Sequence, residues 1–233
     1  MFSTLPRKLT RSAFVLAGLC VGSALSQAPQ VVLGLRGSVV QILETQTDGG
    51  IASTRAICTG TVVALPEGRR ILTAGHCVLE ADGDKALAIG ALSLLDDKGR
   101  VWPMTLERAV LDWPRNDYAV FRSVAQYVLP ALKVAKVAPS IGDDVFSWSG
   151  PLGLAPMLFH GEVSGQLHAP YDGNAESRVG GMLFSSNLMV APGASGSAVL
   201  NSRGEVTSIL VGGFSPSVKL AGAFFANLPP AIN

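Results

Sequence analysis

Short apolar or alternating runs recur along the chain, and Gly, Pro, Asp or Asn bounds most of them. Runs of this length and pattern are typical of β-strands that pack one face against a core. The first half contains six such runs: Ser38 to Leu43, Ala56 to Leu65, Arg70 to Thr73, Leu87 to Leu95, Val101 to Val110 and Tyr118 to Arg122. The second half also contains six: Val145 to Ser149, Met157 to Leu167, Gly181 to Val190, Ser197 to Leu200, Val206 to Val211 and Ala221 to Ala226. The turn sequence Asn-Ser-Arg-Gly at 201–204 predicts a hairpin between two of the last strands.

Composition favours a folded domain, and only the amino-terminal segment has a strongly helical pattern. Of 233 residues, 48% are hydrophobic and 15% are charged, so the chain can bury a large core and is not disordered by composition. Arg7, Lys8 and Arg11 precede an apolar run from Ala13 to Leu25, and small residues stand at positions 24 and 26 near its end. This pattern predicts a signal peptide over 1–26 that is cleaved after Ser26. The alternative is an uncleaved anchor, but the run is shorter than the roughly 20 residues that span a bilayer.

Removal of this segment changes the charge and the expected partners. The remaining chain has 15 basic and 17 acidic residues, a formal net charge of −2. No basic cluster interleaved with aromatic residues is present, so we expect no nucleic-acid partner. We also expect a monomer without stable membrane association. The three histidines, at 76, 160 and 168, are too far apart in sequence to form a ligand pair at metal spacing, so we expect no metal and no cofactor.

The cysteines point to one disulfide. Cys20 lies in the predicted signal peptide, so only Cys58 and Cys77 remain in the exported chain. Two cysteines in an oxidising compartment favour a bond between them, and two independent buried thiols are the alternative. A loop of about 20 residues closed in this way should stabilise the fold by roughly 3 kcal/mol.

Two segments carry candidate chemistry. Ile-Leu-Thr-Ala-Gly-His-Cys ends at Cys77, and Pro-Gly-Ala-Ser-Gly-Ser-Ala-Val-Leu begins at Pro192. A serine hydroxyl is a poor nucleophile near neutral pH and needs an imidazole within hydrogen-bond reach to accept its proton. The glycines beside Ser195 allow a tight turn that brings backbone N–H groups toward one point, where a negative oxygen would need them.

At these two segments the chain resembles the chymotrypsin-like serine proteases, whose signatures are Thr-Ala-Ala-His-Cys and Gly-Asp-Ser-Gly-Gly. Gly75 stands in place of an alanine, Ala194 in place of the aspartate, and Ser197 in place of the second glycine, as in several bacterial secreted members. The segment Asn-Asp-Tyr-Ala-Val-Phe at 116–121 resembles the family's Asp-Ile-Ala-Leu segment. Asp117 is therefore preferred over Asp112, which lies in Leu-Asp-Trp-Pro and suits a turn cap.

The resemblance extends over roughly residues 35–228. The second half of the chain is similar to the Deg/HtrA-type proteases. It implies an all-β fold of two six-stranded antiparallel barrels with the active site between them. The expected division is a first barrel at 27–122, a crossover at 123–140 and a second barrel at 141–233. Proteases of that branch carry a peptide-binding domain after the catalytic one, and we expect none here because the chain ends at Asn233.

The resemblance also assigns roles to residues. His76 would be the general base, Asp117 the group that orients it, and Ser195 the nucleophile, with the Gly193 and Ser195 N–H groups as the oxyanion hole. A disulfide spans the positions of Cys58 and Cys77 in the family. In digestive members an aspartate before the serine pairs with a newly cut amino terminus, which Ala194 cannot do. We therefore expect activity without cleavage beyond signal removal.

The resemblance places the primary specificity pocket at Met189 and Val190 before the serine and at Val211, Gly212 and Gly213 after it. These positions contain no acid and no histidine, so the expected substrate has an apolar residue before the scissile bond. The chain is expected to be a secreted or periplasmic serine endopeptidase that acts on protein or peptide substrates through an acyl-enzyme. A catalytically silent binding module is the alternative. An esterase of the α/β type is disfavoured, because its chain order is serine, acid, histidine.

Overall fold

The computed structural model describes residues 28–82, 85–88, 91–112, 116–167, 182–185, 187, 188, 190–213, 223–228 and 232. The predicted signal peptide at 1–26 and the predicted pocket residue Met189 lie outside these residues. The described residues contain one short α-helix, α1 (Gln30–Leu33), and sixteen strands. The first nine strands are β1 (Val39–Asp48), β2 (Ile51–Leu65), β3 (Gly68–Thr73), β4 (Leu79–Asp82), β5 (Lys85–Ala88), β6 (Ala91–Leu95), β7 (Val101–Asp112), β8 (Asn116–Ser123) and β9 (Leu132–Lys133). The others are β10 (Asp144–Ser149), β11 (Met157–Glu162), β12 (Gly165–Leu167), β13 (Met182–Ser185), β14 (Ala198–Leu200), β15 (Val206–Gly213) and β16 (Ala223–Asn227).

The first sheet closes into a barrel. Its strand order is β1-β6-β7-β8-β3-β2-β9, and β1 also pairs with β2, so six antiparallel strands form a ring. The seventh strand, β9, adds to β2 in parallel. Closure leaves the ring without free edges and turns one face of every strand inward. Apolar residues such as Ile42, Val62 and Phe121 fill that interior and are almost fully buried.

The second sheet curls into a half-barrel. Its order is β11-β10-β14-β15-β16-β13-β12. The two edge strands, β11 and β12, are consecutive in the chain and only Val163 and Ser164 separate them. The sheet must therefore bend until its two edges meet at this short connection. Val145, Leu210 and Phe225 belong to the apolar cluster of this half.

The two sheets share one hydrophobic core. Phe146, Leu200 and Ile209 of the second sheet belong to the same buried cluster as Val62 and Phe121 of the first. The crossover contributes a further link, because Val134 forms a parallel bridge with Val206. A continuous core fixes the position of one sheet relative to the other, which a site built from both sheets requires. Of the helices in the described ranges, none has the length and hydropathy needed to cross a membrane.

The predicted all-β architecture of two packed barrels is confirmed, with local differences. The predicted strand from Leu87 to Leu95 is divided between β5 and β6, and the predicted strand from Met157 to Leu167 is divided between β11 and β12. The hairpin of β4 and β5 was not predicted, because its Leu, Ala, Glu and Lys residues have low β-propensity. The turn predicted at 201–204 is present, with Gly204 at φ 75° and its N–H bonded to the Asn201 carbonyl.

Candidate active site

Strand register brings His76 beside Asp117. Strands β3 and β8 are antiparallel, and Thr73 pairs with Ala119 at the end of β3. Continuation of this register by two residues places the start of the 3-10 turn Gly75–Cys77 opposite Asp117, the second residue of β8. The candidate base and the candidate orienting carboxylate are thus positioned by the wall of the first barrel, although 41 residues separate them in the chain.

Asp117 contacts His76 at two points. The backbone N–H of His76 donates to Asp117 Oδ1 at 2.9 Å, and His76 Nδ1 lies 2.6 Å from Asp117 Oδ2. The Asp117 side chain is 2% exposed, whereas that of His76 is 35% exposed. A carboxylate acceptor at Nδ1 favours the tautomer with its proton on that nitrogen and leaves Nε2 free to accept one. The arrangement suits a general base whose second nitrogen faces an open cleft.

A disulfide ties the histidine turn to the barrel wall. Cys58 in β2 and Cys77 at the end of the 3-10 turn are bonded, as the sequence predicted. One donor atom from each of Cys58, His76 and Cys77 lies within 4.8 Å of the others. Because both sulfur atoms are bonded to each other, neither is available as a thiolate ligand, and this cluster does not suit a metal.

Ser195 lies in a tight turn between β13 and β14. Gly193 has φ 91° and Gly196 has φ 84°, which are left-handed conformations that favour glycine. A Cβ atom on Gly196 would overlap the hydroxyl of Thr73 and the carbonyl of Thr59, so the turn can approach the first barrel only with glycine there. Ser195 and His76 line the same cleft, which has a volume of about 330 Å³.

The side chains of these two residues line one cleft without a hydrogen bond between them. Among the hydrogen bonds of the described residues, none joins His76 Nε2 to Ser195 Oγ. Catalytic hydrogen bonds are often long in the absence of substrate and tighten in the complex. The sequence-predicted nucleophile and base are therefore brought to one cleft.

Two backbone N–H groups remain available in the Ser195 turn. Within the described part of the chain, the N–H groups of Gly193 and Ser195 donate to no carbonyl or side chain. The intervening N–H of Ala194 is used, because it donates to the Ala191 carbonyl at 3.0 Å. Two free donors two residues apart beside a candidate nucleophile are the requirement for an oxyanion hole.

A second, apolar cavity of about 370 Å³ also includes Ser195. It contains three of the predicted pocket residues, Val190, Gly212 and Gly213. Val211 instead packs in the hydrophobic core and is 5% exposed, while Leu210 lines the cavity. Strand alternation explains this exchange, because Leu210 and Gly212 are two residues apart and share one face of β15, whereas Val211 between them points to the other face.

Comparison with known families identifies the fold and the chemistry. The profile of the trypsin-like peptidase domain matches residues 58–209, a range that includes His76, Asp117 and Ser195. The chain belongs to the trypsin-like peptidase family. It is a serine peptidase. No curated protein matches this peptidase by sequence.

Solved structures have the same fold as this peptidase. The active form of the Rv3671c protease from M. tuberculosis is 19% identical with a TM-score of 0.63, over 85% of this chain and 79% of that one. An inactive form of Rv3671c from M. tuberculosis H37Rv with a serine-to-alanine substitution is 20% identical with a TM-score of 0.60, over 88% and 87% of the two chains. At this identity the likeness extends to the fold alone.

Several residues around the site of the peptidase were not predicted from sequence. Glu44 and Arg55 form an ion pair of 2.9 Å at the edge of the cleft, and Glu44 is 1% exposed. Thr59 is fully buried beside the Ser195 turn. None of these three residues carries a local signal, because each lies within an ordinary strand pattern. They reach the site only through the packing of β1 and β2.

Proposed function

We propose that this peptidase hydrolyses peptide bonds by transfer of the acyl group to Ser195 and then to water. The observation that carries the proposal is the double contact of Asp117 with His76, to the backbone N at 2.9 Å and to Nδ1 at 2.6 Å. His76 also lines the cleft that contains Ser195. A buried carboxylate that holds both the backbone and the ring of one histidine has little other chemical use than to fix the orientation of that ring.

The proposed reaction has two stages. Ser195 Oγ attacks the carbonyl carbon of the scissile bond while its proton moves to His76 Nε2, and the N–H groups of Gly193 and Ser195 bind the oxygen that becomes negative. The C–N bond then breaks, and the amine leaves with the proton that His76 returns. Water then attacks the acyl carbonyl carbon and gives a proton to His76, the bond between that carbon and Ser195 Oγ breaks, and His76 returns the proton to Ser195 Oγ as the acid leaves.

The substrate is proposed to have an apolar residue before the scissile bond. The cavity at Val190, Pro192 and Leu210 has no charged side chain among its lining residues in the described part of the chain. Burial of an apolar side chain there contributes favourable hydrophobic free energy to binding. A Lys or Arg side chain would lose its hydration without gaining an acidic partner. Gly212 and Gly213 leave the entrance open to a sizeable side chain.

The compartment is proposed to be extracellular or periplasmic. The predicted signal peptide at 1–26 supports export, and the disulfide between Cys58 and Cys77 suits an oxidising environment. We propose a monomer of two units at 27–122 and 141–233, joined by the crossover at 123–140.

A fluorophosphonate probe tests the nucleophile. We expect covalent labelling of Ser195 in the parent, none in Ser195→Ala, and a loss of casein hydrolysis of about 10⁶ in that variant, on the scale measured for other triad enzymes. Labelling should also be lost in His76→Ala. If Ser195→Ala kept peptide hydrolysis within tenfold of the parent, the proposed nucleophile would be wrong, and absence of labelling in a folded parent would favour a binding module.

Cleavage of a peptide library tests the pocket separately. We expect enrichment of apolar residues at the position before the cleaved bond. A Val190→Asp variant, at a partly exposed position of the lining, should reduce cleavage after apolar residues, and Val211→Ala serves as the control because Val211 does not line the cavity. A dominant preference of the parent for Lys or Arg would contradict the assignment of the pocket.

A further inference from the structure

The Ser195 turn must be held in place by something other than the ion pair of the digestive relatives. Ala194 is 1% exposed and lies in the apolar cluster of the second sheet with Leu210 and Phe225. It offers no charge for an amino terminus. The backbone of this turn therefore depends on hydrogen bonds from its surroundings.

Thr59 supplies several of those hydrogen bonds from the opposite sheet. Its hydroxyl donates to the Gly193 carbonyl at 2.8 Å and accepts from the Gly150 N–H at 3.0 Å. Its backbone N–H donates to the Ser195 carbonyl at 2.9 Å. The carbonyl of Thr59 in turn accepts from the Thr73 hydroxyl at 2.7 Å, so all of its polar groups are used.

These contacts determine which way the peptide groups of the turn face. The Pro192 carbonyl accepts from the Leu152 N–H at 2.6 Å. Because a trans peptide group is planar with its C=O and N–H on opposite sides, this bond directs the Gly193 N–H away from Leu152. The hydroxyl of Thr59 binds the carbonyl of Gly193 itself. The peptide groups before and after Gly193 are therefore both restrained by hydrogen bonds.

The Gly150 segment is linked to the same hydroxyl. Thr59 Oγ1 binds Gly150 directly, and the segment that follows provides the Leu152 N–H for Pro192. One buried hydroxyl thus couples the Gly193 peptide to the loop that holds the preceding peptide. Gly193 has φ 91°. Because glycine can adopt many backbone conformations, it would not be confined to this one without such restraints.

We infer that the Thr59 hydroxyl is a positioning group for the oxyanion hole, replacing the ion pair that Ala194 cannot form. It acts through Gly193 and does not touch the substrate. This inference rests on the proposed function, in which Ser195 is the nucleophile. It agrees with the expectation that the site needs no newly cut amino terminus.

Substitution of Thr59 by valine tests the inference, because valine has nearly the same shape as threonine but no hydroxyl. Thr59→Val removes the hydroxyl and retains the backbone bond to Ser195, whereas Thr59→Ser retains both. We expect Thr59→Val to lower kcat by roughly 10- to 100-fold, below the loss of about 10²–10³ for removal of an oxyanion donor itself. KM should stay within about threefold, and inhibition by a peptide boronic acid should weaken by the same factor as kcat.

Two further readouts separate positioning from simple destabilisation. Thr207→Val is the matched control, because Thr207 is also buried and its hydroxyl donates to the Val199 carbonyl at 3.0 Å, away from the Ser195 turn. It should lower the melting temperature and leave kcat unchanged. The pH midpoint of kcat/KM should be the same in Thr59→Val as in the parent, because the contacts of His76 with Asp117 are not altered.

The outcomes are distinct. Activity of Thr59→Ser near the parent, with a loss in Thr59→Val alone, supports the inference. The inference is overturned if folded Thr59→Val keeps kcat within threefold of the parent, or if Thr207→Val loses as much. Thr59→Ala provides the same comparison should Thr59→Val not fold. Retention of hydrolysis by Ser195→Ala, measured in parallel, would instead refute the proposed nucleophile.

Discussion

At the scale of single residues, two buried carboxylates each have their charge satisfied by several donors. Asp117 binds the backbone and the ring of His76, while Asp96 binds two backbone N–H groups and the side chains of Arg100 and Trp102. An ionised carboxylate is tolerated inside a protein only with such partners. In the proposed mechanism the first of these carboxylates orients the base, whereas the second organises a turn.

Asp117→Asn should impair catalysis with little effect on folding. The amide oxygen still accepts from one donor, but its NH₂ group disfavours a proton on His76 Nδ1 and so favours the tautomer that cannot act as a base. We expect kcat to fall by about 10⁴, the scale of this substitution in trypsin-type enzymes. Single-turnover kinetics and a thermal melt check this together. A loss below tenfold in a folded variant would mean that Asp117 is not the orienting group.

Asp96→Asn should remove part of the acid sensitivity of folding. Burial raises the pKa of Asp96, but hydrogen bonds from Trp102, Arg100 and Lys98 outweigh it and lower the pKa below 3.8. Because the folded pKa is depressed, ionised Asp96 stabilises the fold above its unfolded pKa, and this stability is lost as pH falls through the folded value. We expect Asp96→Asn to lower the free energy of unfolding at pH 7 by about 2 kcal/mol.

The pH dependence distinguishes this charge effect from a packing effect. The difference between parent and Asp96→Asn should shrink as pH falls below about 4, where the unfolded carboxyl becomes protonated. Urea unfolding across this pH range measures it. Asp97→Asn, at the exposed neighbouring position, is the control and should follow the parent throughout. A difference that stays constant to the lowest pH would contradict the assigned role.

At the scale of elements, the short turn Gly75–Cys77 is fitted closely between β7 and β8. Gly75 lies against the Val110 carbonyl of β7, and a Cβ there would be 3.1 Å from Asp117 Oδ1 and from the Tyr118 N. The disulfide restrains the other end of the turn against β2. The element that carries the proposed base therefore has little freedom to move, which preorganises His76.

Gly75→Ala restores the alanine of the family signature and should nevertheless be harmful here. Its Cβ would overlap the Val110 carbonyl, a backbone atom that cannot rotate away. Overpacking of this kind costs about 1–3 kcal/mol, and the displaced carboxylate should lower kcat as well. Denaturant unfolding and steady-state kinetics measure both effects. The control is Gly34→Ala, where a Cβ meets no atom within 4 Å, and equal behaviour of the two variants would contradict the steric argument.

At the scale of the whole molecule, the active site depends on a core that both sheets share. The amino-terminal segment joins this core through Val32, which is fully buried and whose carbonyl accepts from Trp148 Nε1 at 2.8 Å. Thr59 of the first sheet holds the Ser195 turn of the second. Assembly of the two sheets is thus expected to be enough to form the oxyanion hole.

A preparation that begins at Gln27 should be active as it stands. The reason is that hydrogen bonds from Thr59 and Leu152 orient the Ser195 turn, and the buried Ala194 leaves no acid for a new amino terminus to bind. Burst titration with an active-site probe gives the active fraction before and after limited proteolysis. An active fraction that rises several-fold after cleavage would show that a further activation step exists.

The candidate site segments and most strands could be predicted from the sequence alone. The histidine and serine segments are recognisable because each resembles a short family signature made of adjacent residues, and the glycine-rich turn around Ser195 can bring N–H groups toward one point. Period-two patterns predicted most of the strands because each strand buries one face. Short elements such as β9, with two residues, and the β4–β5 hairpin carry too little apolar pattern to be predicted.

Contacts between segments distant in the chain depend on the tertiary structure. The β3–β8 register brought Asp117 to His76, the face that β15 turns toward the Ser195 turn put Leu210 rather than Val211 in the pocket, and the packing of the sheets brought Thr59 to Gly193. Each outcome depends on register and on the shape of a shared core. These arise from the free energy of packing all strands at once, which no single segment of the sequence encodes.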